Sequence, residues 1–186
     1  MEISHHKYII QKQILKDIDT DLSFFDSFKS TYSPYYALWL QKKMQDSVYV
    51  SYNDDNIIGF MKLKIENEEE DYSDITPIFF PCKRLKICSL KIEASNYGLS
   101  RQFMEIVLDN ALKKAVTEIY ATIAENCIEK EKLIHFLQKY GFKKHGTKFS
   151  HGIQEDVFSM SINQFNSYIT DIFNANNLTS YSKKVL

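Results

Sequence analysis

The hydrophobic positions of the chain change period several times, and each change marks an element. In "KYIIQKQIL", Lys7 to Leu15, apolar and polar residues alternate as a strand with one buried face requires. The period then lengthens. Leu22, Phe25, Phe28 and Tyr32 recur at helical spacing behind Thr20 or Asp21 as cap, and Pro34 interrupts the run. Tyr36, Leu40 and Met44 share a second helical face, with Trp39 beside them. This aromatic cluster is expected to pack in the core, although Tyr32, Tyr35 and Tyr36 flank the break and are also suited to line a cleft. Period two returns in "SVYVSY" and "IIGFMKLKIE", and "NDDN", Asn53 to Asn56, supplies the turn of a hairpin.

The acidic run "ENEEEDYSD", Glu66 to Asp74, reads as a solvated loop. After it, Ile87, Ser89 and Lys91 alternate with Cys88, Leu90 and Ile92 in the strand "LKICSLKI", Leu85 to Ile92. An amphipathic helix from about Leu99 to Ala115 leads to the strand "EIYATI", Glu118 to Ile123. A last helix carries Leu133, Phe136, Leu137 and Tyr140 and ends at Gly141, a C′ residue free to take positive φ. "KKHGTKF" and "EDVFSMSI", around "SHGIQ", close the pattern as a hairpin. The two strands joined by the crossover helix are expected to be parallel, with right-handed connection; the others pair antiparallel. The predicted fold class is therefore α/β in the α+β sense: a mixed, mostly antiparallel central sheet with helices on both faces. One domain is expected over residues 1–162, followed by a tail, 163–186, with a weakly helical stretch around Ile169 to Phe173.

Composition narrows the classes. A chain of 186 residues, 44% hydrophobic, buries one good core. With 23 basic against 24 acidic residues, no net field draws it to nucleic acid or membrane. Cys82, Cys88 and Cys127 are odd in number and widely spaced, which suits reduced thiols rather than disulfides or a zinc site. His5 and His6 have no further ligands at metal spacing, so no metal is expected. No apolar run of about 18 residues and no apolar signal core occurs, so no membrane contact and a cytoplasmic location are expected.

The candidate chemistry lies where the strand at 85–92 runs into its helix. Helix N-termini expose free N–H groups and the positive end of the peptide dipole, so a turn that lets an anion approach is a phosphate site. That turn, with the helix of its exit and the closing G-F before a hairpin, resembles the GNAT superfamily of acyl-CoA-dependent N-acetyltransferases over roughly Lys7 to Ile162. The family's Q/R-x-x-G-x-G/A loop falls on Ser95-Asn96-Tyr97-Gly98-Leu99-Ser100: Gly98 stands at the glycine, Ser100 at the second small position, and Ser95 replaces Gln or Arg. "LIHFLQKYGF", Leu133 to Phe142, is similar to A-x-x-F-Y-x-x-x-G-F, with Leu137 where the family's Tyr protonates the departing thiolate.

The resemblance implies acetyl-CoA as co-substrate, an amine acceptor and direct attack. Its pyrophosphate would rest on the backbone of Tyr97, Gly98, Leu99, Ser100 and Arg101, and its pantetheine arm on backbone around Ser89, Leu90 and Ile92. Glu93, at the strand's end, is the candidate base. Arg101, Lys83 and Arg84 are within reach of a CoA phosphate if the loop before the strand folds over the cleft. His135, His145 and His151 are read as surface histidines. The acceptor stays open among a small molecule, a protein amine and an aminoacyl-tRNA, and the aromatic helices and tail allow a homodimer. The alternative reading is a catalytically weak or inactive module of the same fold that binds CoA or another protein.

Overall fold

The computed structural model describes residues 8–93 and 97–163. The tail from 164 onward, with its expected helix, lies outside the described residues, as do Ser95 and Asn96. The elements in chain order are β1 (Ile10–Ile14), α1 (Asp26–Thr31), α2 (Tyr35–Lys43), β2 (Ser47–Asn53), β3 (Asn56–Glu66), β4 (Ile75–Thr76), β5 (Arg84–Ile92), α3 (Tyr97–Lys113), β6 (Glu118–Ala124), α4 (Lys130–Lys139), β7 (Lys143–Ser150) and β8 (Ile153–Ser161). They build one sheet of order β1-β2-β3-β5-β6-β8-β7-β4. Every neighbouring pair is antiparallel except β5 and β6, which are parallel and joined through α3.

The strand alternation sorts side chains onto the two faces. Met61, Leu85, Ile87, Ile119, Ala121, Phe158 and Met160 form one core with Leu99, Phe103, Met104 and Val107 of α3 and Leu137 of α4. On the other face Val48, Val50 and Phe60 meet Leu15, Phe24 and Phe25 ahead of α1, while Tyr72 and Phe79 from the loop meet Tyr120 and Val157. Helices thus cover both faces, and each fully buried side chain of this size contributes roughly 1.5–3 kcal/mol of transfer free energy. α3 lies close on the sheet because β3 carries a glycine beneath it: a Cβ on Gly59 would meet the Phe103 ring at 2.5 Å and Leu99 at 3.3 Å.

Two turns show how local chemistry sets the frame. After α4, the Gly141 N–H donates to the Gln138 carbonyl and the Phe142 N–H to the Leu137 carbonyl, with Gly141 at φ 88. This pair of bonds is a Schellman cap, and it needs the left-handed residue that glycine supplies. After α3 the same two bonds recur, Ala115 N–H to Leu112 and Val116 N–H to Ala111, but Ala115 holds φ 49 with a Cβ in place.

The structure departs from the sequence pattern in four places. The first helical run is split into a 3-10 turn at Ser23–Phe25 and a short α1. α2 buries none of its residues, so its aromatics form a wall instead of core. The acidic run holds two buried members, Glu66 at 3% and Tyr72 at 6% exposure, and is followed directly by the two-residue β4, which pairs Ile75 and Thr76 with Lys148 and Thr147 of β7. α3 begins at Tyr97, two residues earlier than the apolar period, so Gly98 sits within the first helical turn.

Candidate active site

β5 and β6 pair only from Arg84–Glu118 to Ile87–Ala121. Beyond that point β5 stays on β3, through Ser89–Lys62, Leu90–Met61 and Ile92–Gly59, and β6 stays on β8, through Thr122–Val157 to Ala124–Glu155. Each strand is held by its outer neighbour while the seam between them opens. A parted pair of parallel strands leaves backbone N–H and C=O groups that need a partner.

A cavity of about 550 Å³ occupies the opening. Ser89, Leu90 and Ile92 line it from β5, Glu93 from just past its end, Thr122 and Ala124 from β6, Leu133 and Leu137 from α4, and Ser100 from the first turn of α3. The first N–H groups of any α-helix have no carbonyl partner within the helix, and the first turn of α3, Tyr97 to Ser100, brings such a helix end to this cavity. Leu99 is fully buried and anchors that turn above Gly59.

Charge at the cavity is organised by Lys91, whose side chain is 11% exposed. Its ammonium donates to the Phe24 carbonyl at 2.7 Å and to Ser27 Oγ at 3.0 Å, lies 4.9 Å from the Phe24 ring centre, and pairs with Glu93 at 3.4 Å and Glu129 at 3.5 Å. It thereby ties α1, β5 and the start of α4 around the opening. Glu93 lines the first cavity from just past the end of β5, with its side chain 47% exposed. Arg101 is engaged on its own helix with Glu105 at 2.9 Å.

A second cavity of about 440 Å³ lies on the α1–α2 face of the sheet, walled by Tyr35, Tyr36 and Trp39 and floored by Glu66, Tyr120 and Glu155. Phe28 and Tyr36 are stacked with ring centres 6.4 Å apart, and Tyr36 and Trp39 at 5.7 Å. The two cavities share Phe28, Tyr32, Cys88, Ser89 and Thr122, so they meet through the parted seam. At the meeting point Tyr32 donates its hydroxyl to Glu155 Oε1 at 3.0 Å, and Thr122 donates to the same oxygen at 3.1 Å. Burial, then the Glu155 charge, pushes the Tyr32 phenol far up, so it remains a neutral donor. Burial raises the Cys88 thiol as well, which keeps it protonated and unreactive.

Deeper in the floor, Glu66 accepts from Tyr120 at 2.6 Å, Tyr72 at 3.1 Å and Lys64 at 3.0 Å. Burial opposes its charge, but the Tyr120 hydrogen bond and the Lys86 and Lys64 charges outweigh burial and hold its carboxyl below the usual range.

Of the residues singled out in the sequence, Ser89, Leu90, Ile92, Glu93 and Ser100 line one cavity, and the helix start at Tyr97 and Gly98 is beside them. Two basic candidates are elsewhere. Arg84 is 3% exposed and locked on Glu118 at 2.6 Å, because it faces the closed end of the seam; Lys83 donates to the Lys114 carbonyl at the far end of α3. His145 is held on the Pro77 carbonyl at 2.7 Å, and His151 sits in the β7–β8 turn against Tyr35. Sequence reasoning passed over Tyr32 as a site residue in favour of packing, and over Lys91, Thr122 and Glu155 altogether. A signal existed for Glu155: it shares the alternation phase of Val157, so it puts a carboxylate on a buried face.

No family model and no curated protein sequence matches the chain. Solved structures do match its fold. Naa20 of Chaetomium thermophilum, in complex with a bisubstrate analogue, superposes with TM-score 0.61 at 16% identity, covering 86% of this chain and 89% of that one. NAA60 of Arabidopsis thaliana with a bisubstrate analogue gives 0.59 at 13% identity over 83% and 100%. An N-acetyltransferase from Staphylococcus aureus Mu50 gives 0.55 at 17% identity over 83% and 98%.

Proposed function

From the premise that this chain has the GNAT acetyltransferase fold, we propose that it is an acetyl-CoA-dependent N-acyltransferase that moves an acetyl group to an amine by direct attack. The observation that carries the reading is the opening of the β5–β6 seam after Ile87 and Ala121, with the first turn of α3 beside it. In this reading the pantetheine arm takes the place of the missing ladder, hydrogen-bonded to backbone of Ser89, Leu90 and Ile92. The pyrophosphate rests on amides of Tyr97 to Arg101. Solved neighbours were crystallised with acetyl-CoA, as NAA60 of Arabidopsis thaliana was, which supports the co-substrate.

The acceptor enters from the second cavity, because that cavity reaches the first at the seam. Its nitrogen attacks the thioester carbonyl, the carbonyl oxygen is stabilised by strand N–H groups, and the sulfur leaves as thiolate. Glu93, the base that its place at the strand's end suggests from sequence, is paired with Lys91 at 3.4 Å. Leu137 supplies no proton; it is 2% exposed and packs in the core, so the thiolate is protonated from elsewhere. That same residue supports a second reading, a CoA-binding module without turnover.

Two measurements separate these readings. Acetyl-CoA binding only the native state raises the melting temperature in proportion to the logarithm of its concentration, and thiol release with an amine present then distinguishes enzyme from module. A melting temperature indifferent to acetyl-CoA at millimolar concentration contradicts both.

A further inference from the structure

We infer that Glu155, with Tyr32 and Thr122, is the proton acceptor for the attacking amine. The inference rests on the acyltransferase reading and names the residue that does its proton chemistry. Reaction must occur where the two cavities meet, since one holds the thioester and the other delivers the amine. Among the described residues, six carboxylates line the two cavities: Glu93 and Glu129 in the first, and Glu66, Glu70, Asp71 and Glu155 in the second. Five of them are committed. Glu93 and Glu129 share the Lys91 ammonium, Glu66 carries three donors, Glu70 holds Lys64 at 2.7 Å, and Asp71 accepts the Ser73 N–H and hydroxyl.

Glu155 differs in each respect. It has no ion pair among the described residues, and both of its hydrogen bonds fall on Oε1, from neutral hydroxyls. Oε2 takes none of the described donors, and the residue, though 8% exposed, lines the second cavity. Both donors belong to the five residues shared by the two cavities. Tyr32 and Thr122 thus fix the carboxylate at the junction, and one oxygen is left for the substrate. An amine reaches this cavity as ammonium; Glu155 Oε2 takes one proton and leaves the nitrogen lone pair free. As the C–N bond forms, the C–S electron pair departs on sulfur, and the second N–H proton passes to water in the open cavity, from which the thiolate is protonated. Tyr32 and Thr122 act through Glu155 and are positioning residues.

The test uses the full chain with acetyl-CoA and 2-phenylethylamine, an amine sized for the aromatic wall, and follows thiol release. Glu155→Gln keeps the shape and an acceptor oxygen for Tyr32, and should lower kcat at least 100-fold with the acetyl-CoA KM within twofold of wild type. Formate should restore part of the rate to Glu155→Ala, a response that a merely structural residue does not give. Tyr32→Phe should lower kcat about tenfold with the acetyl-CoA KM unchanged. A Glu155→Gln protein as fast as wild type, or an alanine variant indifferent to formate, overturns the assignment alone. A wild type no faster than buffer overturns it together with the enzyme reading, while calorimetric heat with acetyl-CoA in that same protein preserves the CoA-binding module.

Discussion

The seam between β5 and β6 is closed at one end and open at the other, and the two ends are made of different materials. At the closed end Arg84 is 3% exposed, bonded to Glu118 at 2.6 Å and stacked 4.2 Å above Phe79, while Tyr120 holds Glu66. At the open end the residues are Cys88, Ser89 and Thr122, small polar side chains facing a cavity with no strand across from them. A sheet gains stability where the ladder is complete and gains a binding site where it is withheld. On the proposed function, the closed end governs folding and the open end governs ligand. Substitutions should separate these two effects.

The largest loss is expected at the closed end. Arg84→Leu removes a buried cation and abandons Glu118, and should cost about 3 kcal/mol, read as a lower urea midpoint with the urea slope kept. Tyr120→Phe leaves Glu66 short of its closest donor and should cost about 2 kcal/mol. It also has a pH signature. Glu66 is held below its ordinary pKa, and so is Asp156, where burial is outweighed by Lys144 at 2.6 Å and Lys130 at 3.0 Å. Because their folded values are depressed, the stability they contribute is complete above the unfolded value of about 4 and is lost as pH falls through the folded value. Urea midpoints should be flat from neutral pH down to about 5 and fall below that; in Tyr120→Phe the fall should be shallower.

At the open end, Ser100→Trp puts a large ring at the mouth of the first cavity. It should weaken acetyl-CoA at least tenfold, equivalent to about 1.4 kcal/mol of binding, with the urea midpoint nearly unmoved. The smallest effect is a gain. Ala115→Gly relieves a side chain held at φ 49 and should stabilise by about 0.5–1 kcal/mol without changing affinity for acetyl-CoA.

The same contrast explains what the sequence made legible. Strand and helix periods come from burial of one face, so the order of the major elements, the parallel pair and the Gly141 cap were readable from alternation and punctuation. β4 was not, because two residues carry no period and its pairing with β7 spans about 70 residues of chain. The aromatic run at Tyr32 to Trp39 has the composition of a core, and the break at Pro34 also suited Tyr32, Tyr35 and Tyr36 to line a cleft; the tertiary structure takes the second course. At the candidate site, Gly98 and the strand before it were singled out through a backbone motif. Glu155 and Lys91 work through contacts with distant segments, to Tyr32 across 123 positions and to Phe24 across 67, and no local spacing encodes such partners.

The central claim is that the opening of the β5–β6 seam is a site for acetyl-CoA. Calorimetric titration of the full chain with acetyl-CoA tests it most directly. The account predicts a saturable one-to-one heat in the wild type that is kept in Tyr120→Phe and lost in Ser100→Trp. No heat in the wild type, or equal heat in wild type and Ser100→Trp, would contradict it.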